Sequence, residues 1–309
     1  MRTGPFRVPG SDRLLTPWDV PQEREARLKH LRRATAEQVR EQLITVGIIV
    51  AAVWYLQIEL SSMLIVLGVA FLGMPLLQRV WELRTMSRPD YQPPGTLDDL
   101  RFQAWLGQAR PVVTWAAIGL ICGVYGWTIL QGSGHLLAGP DGQTLLEAGA
   151  LARPLVLEQG QWWRLATCVV LHANLLHLLF NSLALRQLGS VLEPAVGSVR
   201  FGAYLVLAGL AGSAASLLLS HASMSVGASG AVCGVLGLLV ALSYTGHVPQ
   251  YVQNNTRMMI LALLALGWLG REFIDNAAHA GGLAAGMAIG YWHFRKFLTH
   301  NDSPTPAKP

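Results

Sequence analysis

The residues of this sequence that could do chemistry begin with a serine in a run of small residues. Ser229 belongs to the segment Gly-Ala-Ser-Gly at 227–230, and its hydroxyl can attack a carbonyl carbon once a base takes its proton. His279 is the expected base, because imidazole titrates near neutral pH. No acidic residue lies in the apolar stretch that contains His279, so we expect a Ser-His dyad and not a triad.

Two further polar residues could stabilise the negative charge that develops on an attacked carbonyl. His177 and Asn181 are four residues apart, which places them on one face of a helix. With the N–H of Ser229 they could form an oxyanion hole, in which loss of one donor typically costs about 3 kcal/mol. His172 lies near the expected start of the same helix, and Asn174 is the expected N-cap.

Structural roles are equally open to these residues at this point. Four glycines have the spacing of one helical face, which membrane helices use to pack closely. They are Gly227, Gly230, Gly234 and Gly237. Ser229 could therefore be a packing residue, and a hydrogen-bond network between helices would explain His177 and Asn181 as well as an oxyanion hole does.

Metal binding and transport are disfavoured by the pattern. A zinc site made of His172, His177 and His279 would need the first two on one face, and a spacing of five does not place them there. The sequence also has no HExxH motif and no carboxylate in this set. A transporter would use intramembrane polar residues too, but the chain has no inverted repeat or pair of broken helices.

The composition indicates a protein that crosses a membrane several times. Of its 309 residues, 52% are hydrophobic and 13% are charged, whereas soluble domains carry about 25% charged residues. The net charge of +5 does not predict a nucleic-acid partner, because the cations follow the membrane topology described below. The three cysteines lack CxxC spacing and are expected to be free thiols.

Apolar and polar stretches divide the chain into five parts. We expect a cytoplasmic amino-terminal segment (1–42), an extra transmembrane hairpin (43–80), a cytoplasmic linker (81–111), a six-helix core (112–294) and a cytoplasmic tail (295–309). The expected core spans are 112–130, 162–185, 201–220, 227–244, 258–270 and 277–294.

The distribution of cations predicts the orientation of these spans. With both termini in the cytoplasm, all but three of the 23 Lys and Arg residues lie on the cytoplasmic side; the exceptions are Arg153, Arg164 and Arg271. Residues 1–15 lack the apolar core of a cleaved signal peptide, which agrees with a cytoplasmic amino terminus. The same topology places Ser229 and His279 at the extracytoplasmic ends of their spans, at similar depth. Glycines at intervals of four after His279, together with those of the Ser229 span, predict that these two helices pack closely.

Four motifs in order resemble those of the rhomboid family of intramembrane serine proteases over roughly residues 112–294. They are Trp163-Arg164, the set His172/His177/Asn181, Gly-Ala-Ser-Gly at 227–230, and His279 with Gly282 and Gly286. Gly189, Glu193 and Gly197 also resemble the family's Gly/Glu/Gly turn. The amino-terminal hairpin departs from the basic six-helix plan of the family.

The resemblance implies an all-α polytopic fold and a serine endopeptidase without cofactor or metal. Ser229 would be the nucleophile, His279 the base, and His177, Asn181 and the Ser229 amide the oxyanion stabilisers. The supporting residues would be His172, Gly227, Trp163 and Arg164. The substrates would be single-span membrane proteins cut near the extracytoplasmic face. Separately from the resemblance, the absence of targeting signals and the compact loops predict a bacterial inner membrane as the location. A catalytically silent, client-binding relative is the alternative, and retention of both Ser229 and His279 favours the enzyme.

Overall fold

The computed structural model describes residues 109–245, 248, 250–271 and 274–299, with scattered residues between 25 and 106. Most of the amino-terminal segment, of the hairpin predicted at 43–80 and of the linker predicted at 81–111 therefore lies outside the described residues, as does the tail beyond 299. The chain divides into two compact units, one of Met1–Gln103 with Leu264–Phe273 and the other of Ala104–Leu263 with Ile274–Pro309. All the candidate site residues belong to the second unit.

From residue 109 onward, the part of the chain that the structure describes is helical and contains no strands, only two isolated β-bridges. The helices are α1 (Val112–Gln131), α2 (Gly142–Ala148), α3 (Arg153–Leu157), α4 (Arg164–Thr167), α5 (Leu175–Val196), α6 (Ser198–Leu219), α7 (Ser229–Ser243), α8 (Gln250–Leu269) and α9 (Asn276–Thr299). A 3₁₀ turn, Cys168–Val170, follows α4 directly.

Three of these helices are long and apolar enough to cross a membrane: α1, α5 and α6. Helix α7 is apolar but has only 15 residues, while α8 and α9 have 20 and 24. The prediction of membrane-spanning helices is therefore confirmed for these three. The complete arrangement of six core helices and an extra hairpin stays a prediction.

The amino terminus of α1 is held by a carboxylate from the far end of α5. Glu193 accepts hydrogen bonds from the N–H groups of Val113 and Thr114, both at 2.8 Å, and from the hydroxyls of Thr114 and Ser198 at 2.7 Å. The first N–H groups of a helix have no partner within the helix and attract negative charge. Glu193 is only 1% exposed and supplies this charge where α1, α5 and α6 meet.

The Gly/Glu/Gly segment is not a turn over its whole length. Helix α5 continues through Gly189 and Glu193 to Val196, and only Gly197, at φ +86°, breaks it before α6 begins. Gly189 instead allows α5 to pack closely on α1, because a Cβ there would overlap the side chain of Thr114 in α1.

Several predicted boundaries are wrong for a common physical reason. The apolar run 162–185 is not one span: it contains α4, the 3₁₀ turn and an extended stretch, and α5 begins only at Leu175. The stretch 131–161, which lies between the first two predicted spans, contains α2 and α3, and α8 begins at Gln250, eight residues before the predicted 258. Hydropathy finds apolar runs, whereas caps and tertiary hydrogen bonds fix where helices begin.

Helices α6, α7 and α9 pack against one another through small residues, and the pair α7 and α9 has the most extensive contact. A Cβ added at Gly282 would overlap the carbonyl oxygen of Gly230, and one at Gly286 would overlap that of Gly234. The prediction of close packing between these helices is confirmed. Gly227 is not part of that helical face, however, because it precedes α7 and has φ +127°.

Candidate active site

Ser229 is the first residue of α7 and is half-buried. The loop before it is fixed by backbone hydrogen bonds: Ser225 exchanges two with Leu151, at 2.8 and 3.0 Å, and Gly227 N–H donates to Cys168 C=O at 2.9 Å. No side chain caps the amino terminus of α7. The first N–H groups of this helix are therefore available to a developing negative charge beside the Ser229 hydroxyl.

His279 lies in the first turn of α9, next to the start of α7. A Cβ at Gly230 would be 3.4 Å from the carbonyl oxygen of Ala278, so the residue after Ser229 contacts the residue before His279. His279 is half-buried, and its Nδ1 has no hydrogen-bond partner among the residues that the structure describes. The structure thus brings the predicted nucleophile and base to adjoining helix starts.

The side chains of Ser229 and His279 start from adjoining helix turns but are not hydrogen-bonded to each other. Within the described part of the chain, no hydrogen bond links the Ser229 hydroxyl to the His279 ring. Catalytic hydrogen bonds are often long or poorly aligned in enzymes without substrate and shorten when the substrate is bound. The arrangement therefore has the right elements for proton transfer from Ser229 to His279.

The ring of His177 packs directly on the loop that precedes Ser229. A Cβ at Gly227 would be 2.5 Å from Cε1 and 2.8 Å from Nε2 of His177. The φ of +127° at Gly227 also strains any residue with a Cβ. Glycine at 227 is therefore what allows His177 to approach within two residues of Ser229.

The backbone of α5 orients His177 and Asn181. Asn174 caps the helix, as predicted, and its Oδ1 accepts the His177 N–H at 2.8 Å. Asn181 is 5% exposed, and its Nδ2 donates to His177 C=O at 3.0 Å, which leaves the second N–H of the amide for another acceptor.

His172 supports His177 through ring packing. The two ring centroids are 5.1 Å apart in an edge-to-face arrangement. His172 is fully buried, and neither of its ring nitrogens has a side-chain hydrogen-bond partner among the described residues.

Trp163 and Arg164 stabilise the segment before α5. The Arg164 guanidinium is 6% exposed and donates to the carbonyl oxygens of Leu146 and Ala150, at 2.7 and 2.8 Å, and to Gln161 Oε1 at 2.7 Å. It also lies 4.7 Å from the centre of the Trp163 ring. Ala150 precedes Leu151, whose backbone pairs with Ser225. Arg164 therefore supports the segment against which the loop before Ser229 is held.

Sequence reasoning missed Asp275, which lies just before the apolar stretch of His279. Its carboxylate accepts hydrogen bonds from Ala278 N–H, from the Ser225 hydroxyl and from the Ser216 hydroxyl. An Asp directly before a helical segment is a typical N-cap and could have revealed it. Within the described residues, no group of three or more His, Cys, Asp or Glu is arranged to hold a metal ion.

Comparison with known proteins assigns the part of the chain that contains this site. Residues 159–296 match the family model described as Rhomboid domain. The chain is 41% identical over 163 residues to RHOMBOID-like protein 5 of Arabidopsis thaliana, covering 51% of this chain and 52% of the relative. It is 42% identical over 147 residues to Rhomboid protease GluP of Bacillus subtilis (strain 168), covering 47% of this chain and 28% of the relative. The chain thus matches about half or less of the length of these relatives.

Proposed function

The chain carries a rhomboid domain at residues 159–296, and on this premise we propose that it is a serine endopeptidase that cleaves membrane-spanning segments of other proteins. The observation that carries the proposal is the packing of α7 on α9, with Ser229 and His279 at adjoining helix starts. The relative from Bacillus subtilis, which is named a protease, supports peptide-bond hydrolysis as the reaction.

The proposed reaction proceeds through an acyl-enzyme. His279 takes the proton of the Ser229 hydroxyl as its oxygen bonds to the substrate carbonyl carbon. The Ser229 N–H, His177 and Asn181 stabilise the resulting oxyanion. The C–N bond then breaks as His279 gives its proton to the leaving nitrogen. Water then attacks the acyl carbon as His279 takes one of its protons. The C–O bond to Ser229 breaks, His279 returns the proton to the Ser229 oxygen, and the carboxylic acid product leaves and ionises.

The proposed substrates are single-span membrane proteins cut near the extracytoplasmic face. A regular helix keeps its carbonyls in internal hydrogen bonds, so the substrate must unwind locally before Ser229 can attack. Water must also reach the acyl-enzyme, which requires a polar opening above Ser229. A bacterial inner membrane with both termini cytoplasmic is the proposed location.

A client-binding protein without catalysis is the second candidate. The observation that favours it is the absence of a hydrogen bond between the Ser229 hydroxyl and the His279 ring among the residues that the structure describes. Such a protein would bind membrane segments in the same place but would leave them intact.

Cleavage of a model single-span substrate in reconstituted vesicles tests the proposal. Ser229→Ala and His279→Ala should each lower kcat by roughly 10⁴-fold or more, as for other serine hydrolases. A fluorophosphonate should also label Ser229, as detected by mass spectrometry of the peptide that contains it.

Matched controls are available on the same two helices. Ser243 lies at the other end of α7 and donates to Leu239 C=O at 2.8 Å, and His293 lies near the other end of α9, with Nδ1 2.8 Å from Tyr204 Oη. Ser243→Ala and His293→Ala should keep both cleavage and labelling. Cleavage that survives Ser229→Ala would refute the proposal, and binding of intact substrate without cleavage or labelling would support the second candidate.

A further inference from the structure

The carboxylate of Asp275 joins three separate segments at the end of the domain that carries the proposed nucleophile and base. Its Oδ1 accepts a hydrogen bond from Ala278 N–H at 3.0 Å. Its Oδ2 accepts one from Ser225 Oγ at 2.7 Å and one from the Ser216 hydroxyl. Ser216 lies in the last turn of α6, Ser225 in the loop before α7, and Ala278 in the first turn of α9.

The bond to Ser225 connects α9 to the segment that positions Ser229. Ser225 is four residues before Ser229, and its backbone pairs with Leu151 on the opposite side. The loop is therefore held on one side by backbone hydrogen bonds and on the other by the Asp275 carboxylate. A change at Asp275 would alter the position of Ser229 relative to α9.

The bond to Ala278 fixes the turn from which His279 projects. Asp275 is the N-cap of α9, and its C=O also accepts the His279 N–H at 3.1 Å. The carbonyl oxygen of Ala278 lies against two glycines: a Cβ would be 2.9 Å from it at Gly212 and 3.4 Å from it at Gly230. This turn therefore has little room to shift without moving the base.

The geometry distinguishes this role from that of a triad acid. Both carboxylate oxygens of Asp275 are engaged by other donors, and no hydrogen bond joins them to the His279 ring among the described residues. A triad acid would bind the imidazole N–H directly. An N-cap alone would need only one oxygen, whereas here the second oxygen binds two hydroxyls from neighbouring segments.

We infer that Asp275 is a positioning residue. By accepting hydrogen bonds from Ser225, Ser216 and Ala278 at once, it fixes the position of the Ser229 loop relative to the His279 turn. The inference rests on the proposed function, since the relative position of the loop and the turn affects catalysis only if Ser229 and His279 react together.

The sharpest test is Ser225→Ala, which removes the link to the loop but leaves the cap on α9. We expect kcat to fall about tenfold or more, equivalent to about 1.4 kcal/mol of transition-state stabilisation, with KM within about twofold of the wild type. In an Asp275→Ala background, Ser225→Ala should cause no further loss, because the two act through one bond. Asp275→Asn should recover most of the kcat lost in Asp275→Ala, since its amide oxygen still accepts from Ala278 N–H and its amide nitrogen can donate to the Ser225 hydroxyl, which keeps the link to the loop.

A second capping aspartate provides the matched control. Asp141 caps α2 by accepting from Thr144 N–H at 2.9 Å, and its Oδ2 also accepts from Ser133 Oγ at 3.2 Å. The N–H and hydroxyl of Thr144 lower the pKa of Asp141 to about 2, so it is ionised in any neutral assay. Asp141→Ala and Ser133→Ala should lower Tm without changing kcat.

Two outcomes would overturn the inference. One is wild-type kcat in the Ser225→Ala variant. The other is a loss of kcat in proportion to the loss of Tm, with the same ratio of the two losses in the Asp275 and Asp141 variants. That result would make Asp275 a structural cap only. A wild-type protein that neither cleaves nor reacts with the fluorophosphonate would refute the proposed function as well, whereas an active wild type with unaffected variants refutes the inference alone.

Discussion

The side chain and backbone of His177 are constrained on every side that the structure describes. Its N–H is bonded to Asn174, its C=O accepts from Asn181, and its ring lies between His172 and Gly227. A donor that is already held in place needs no reorganisation when charge develops on the substrate, which is the condition for effective oxyanion stabilisation. His177 thus has the preorganisation that its proposed role requires.

Removal of these donors should affect turnover more than binding. We expect His177→Ala and Asn181→Ala each to lower kcat by roughly 10²- to 10³-fold, as for other oxyanion-hole donors, with little change in KM. Steady-state kinetics with the model single-span substrate would measure both constants.

Ser182 is the control for this pair, because it follows Asn181 directly and donates only to the helix, at 2.8 Å from Leu178 C=O. Ser182→Ala should keep the wild-type kcat. A rise in KM with unchanged kcat in His177→Ala would show that this ring binds substrate instead of stabilising the transition state.

The close approach of α7 and α9 depends on glycines that no other residue can replace. At Gly286 a Cβ would meet the backbone of Gly234, with Gly234 C at 2.5 Å and Cα at 2.7 Å. Backbone atoms cannot move aside as a flexible side chain can. Any residue larger than glycine must therefore push α7 away from α9, and Ser229 away from His279.

Substitution of helical glycines by alanine should have opposite effects in two helices. Gly286→Ala should destabilise the protein by about 1 to 3 kcal/mol through overpacking and should also lower kcat. Gly123→Ala in α1, where a Cβ would meet nothing within 4 Å, should stabilise it by about 0.5 to 1 kcal/mol and leave kcat unchanged. Thermal unfolding in detergent and substrate cleavage would measure the two effects, and equal effects at the two positions would contradict the packing argument.

At the scale of helices, the sequence predicts features that come from a repeating residue pattern and misses features that depend on contacts between residues distant in sequence. Small-residue spacing predicted the packing of α7 on α9, and an apolar run predicted α1 almost to the residue. The short helices before α5 depend on Arg164, whose carbonyl partners lie 14 and 18 residues away, and no local pattern reveals them. The role of Asp275 was missed for the same reason, since Ser216 and Ser225 are distant in sequence.

The whole molecule is an integral membrane protein, and its residues 159–296 match the rhomboid domain model. Within the described part of this domain, the candidate active site lies at one end of α5 and α9. Tyr204, near the start of α6, contacts His293, near the end of α9, at the other end of the same helices. Arg200 and Arg295 belong to that opposite end, which the cation distribution predicts to face the cytoplasm.

The predicted orientation can be tested with single cysteines at the two ends of the domain. In a background in which the exposed Cys122 is replaced by alanine, Ser133→Cys marks the segment before α2, and Val199→Cys marks the first turn of α6, where Val199 is 88% exposed. A membrane-impermeant maleimide should modify Ser133→Cys in right-side-out vesicles and Val199→Cys only in inverted ones, because the cation-rich end stays in the cytoplasm. The reverse pattern would place Ser229 on the cytoplasmic side, and modification of both cysteines from one side would contradict the predicted path of α5 across the membrane.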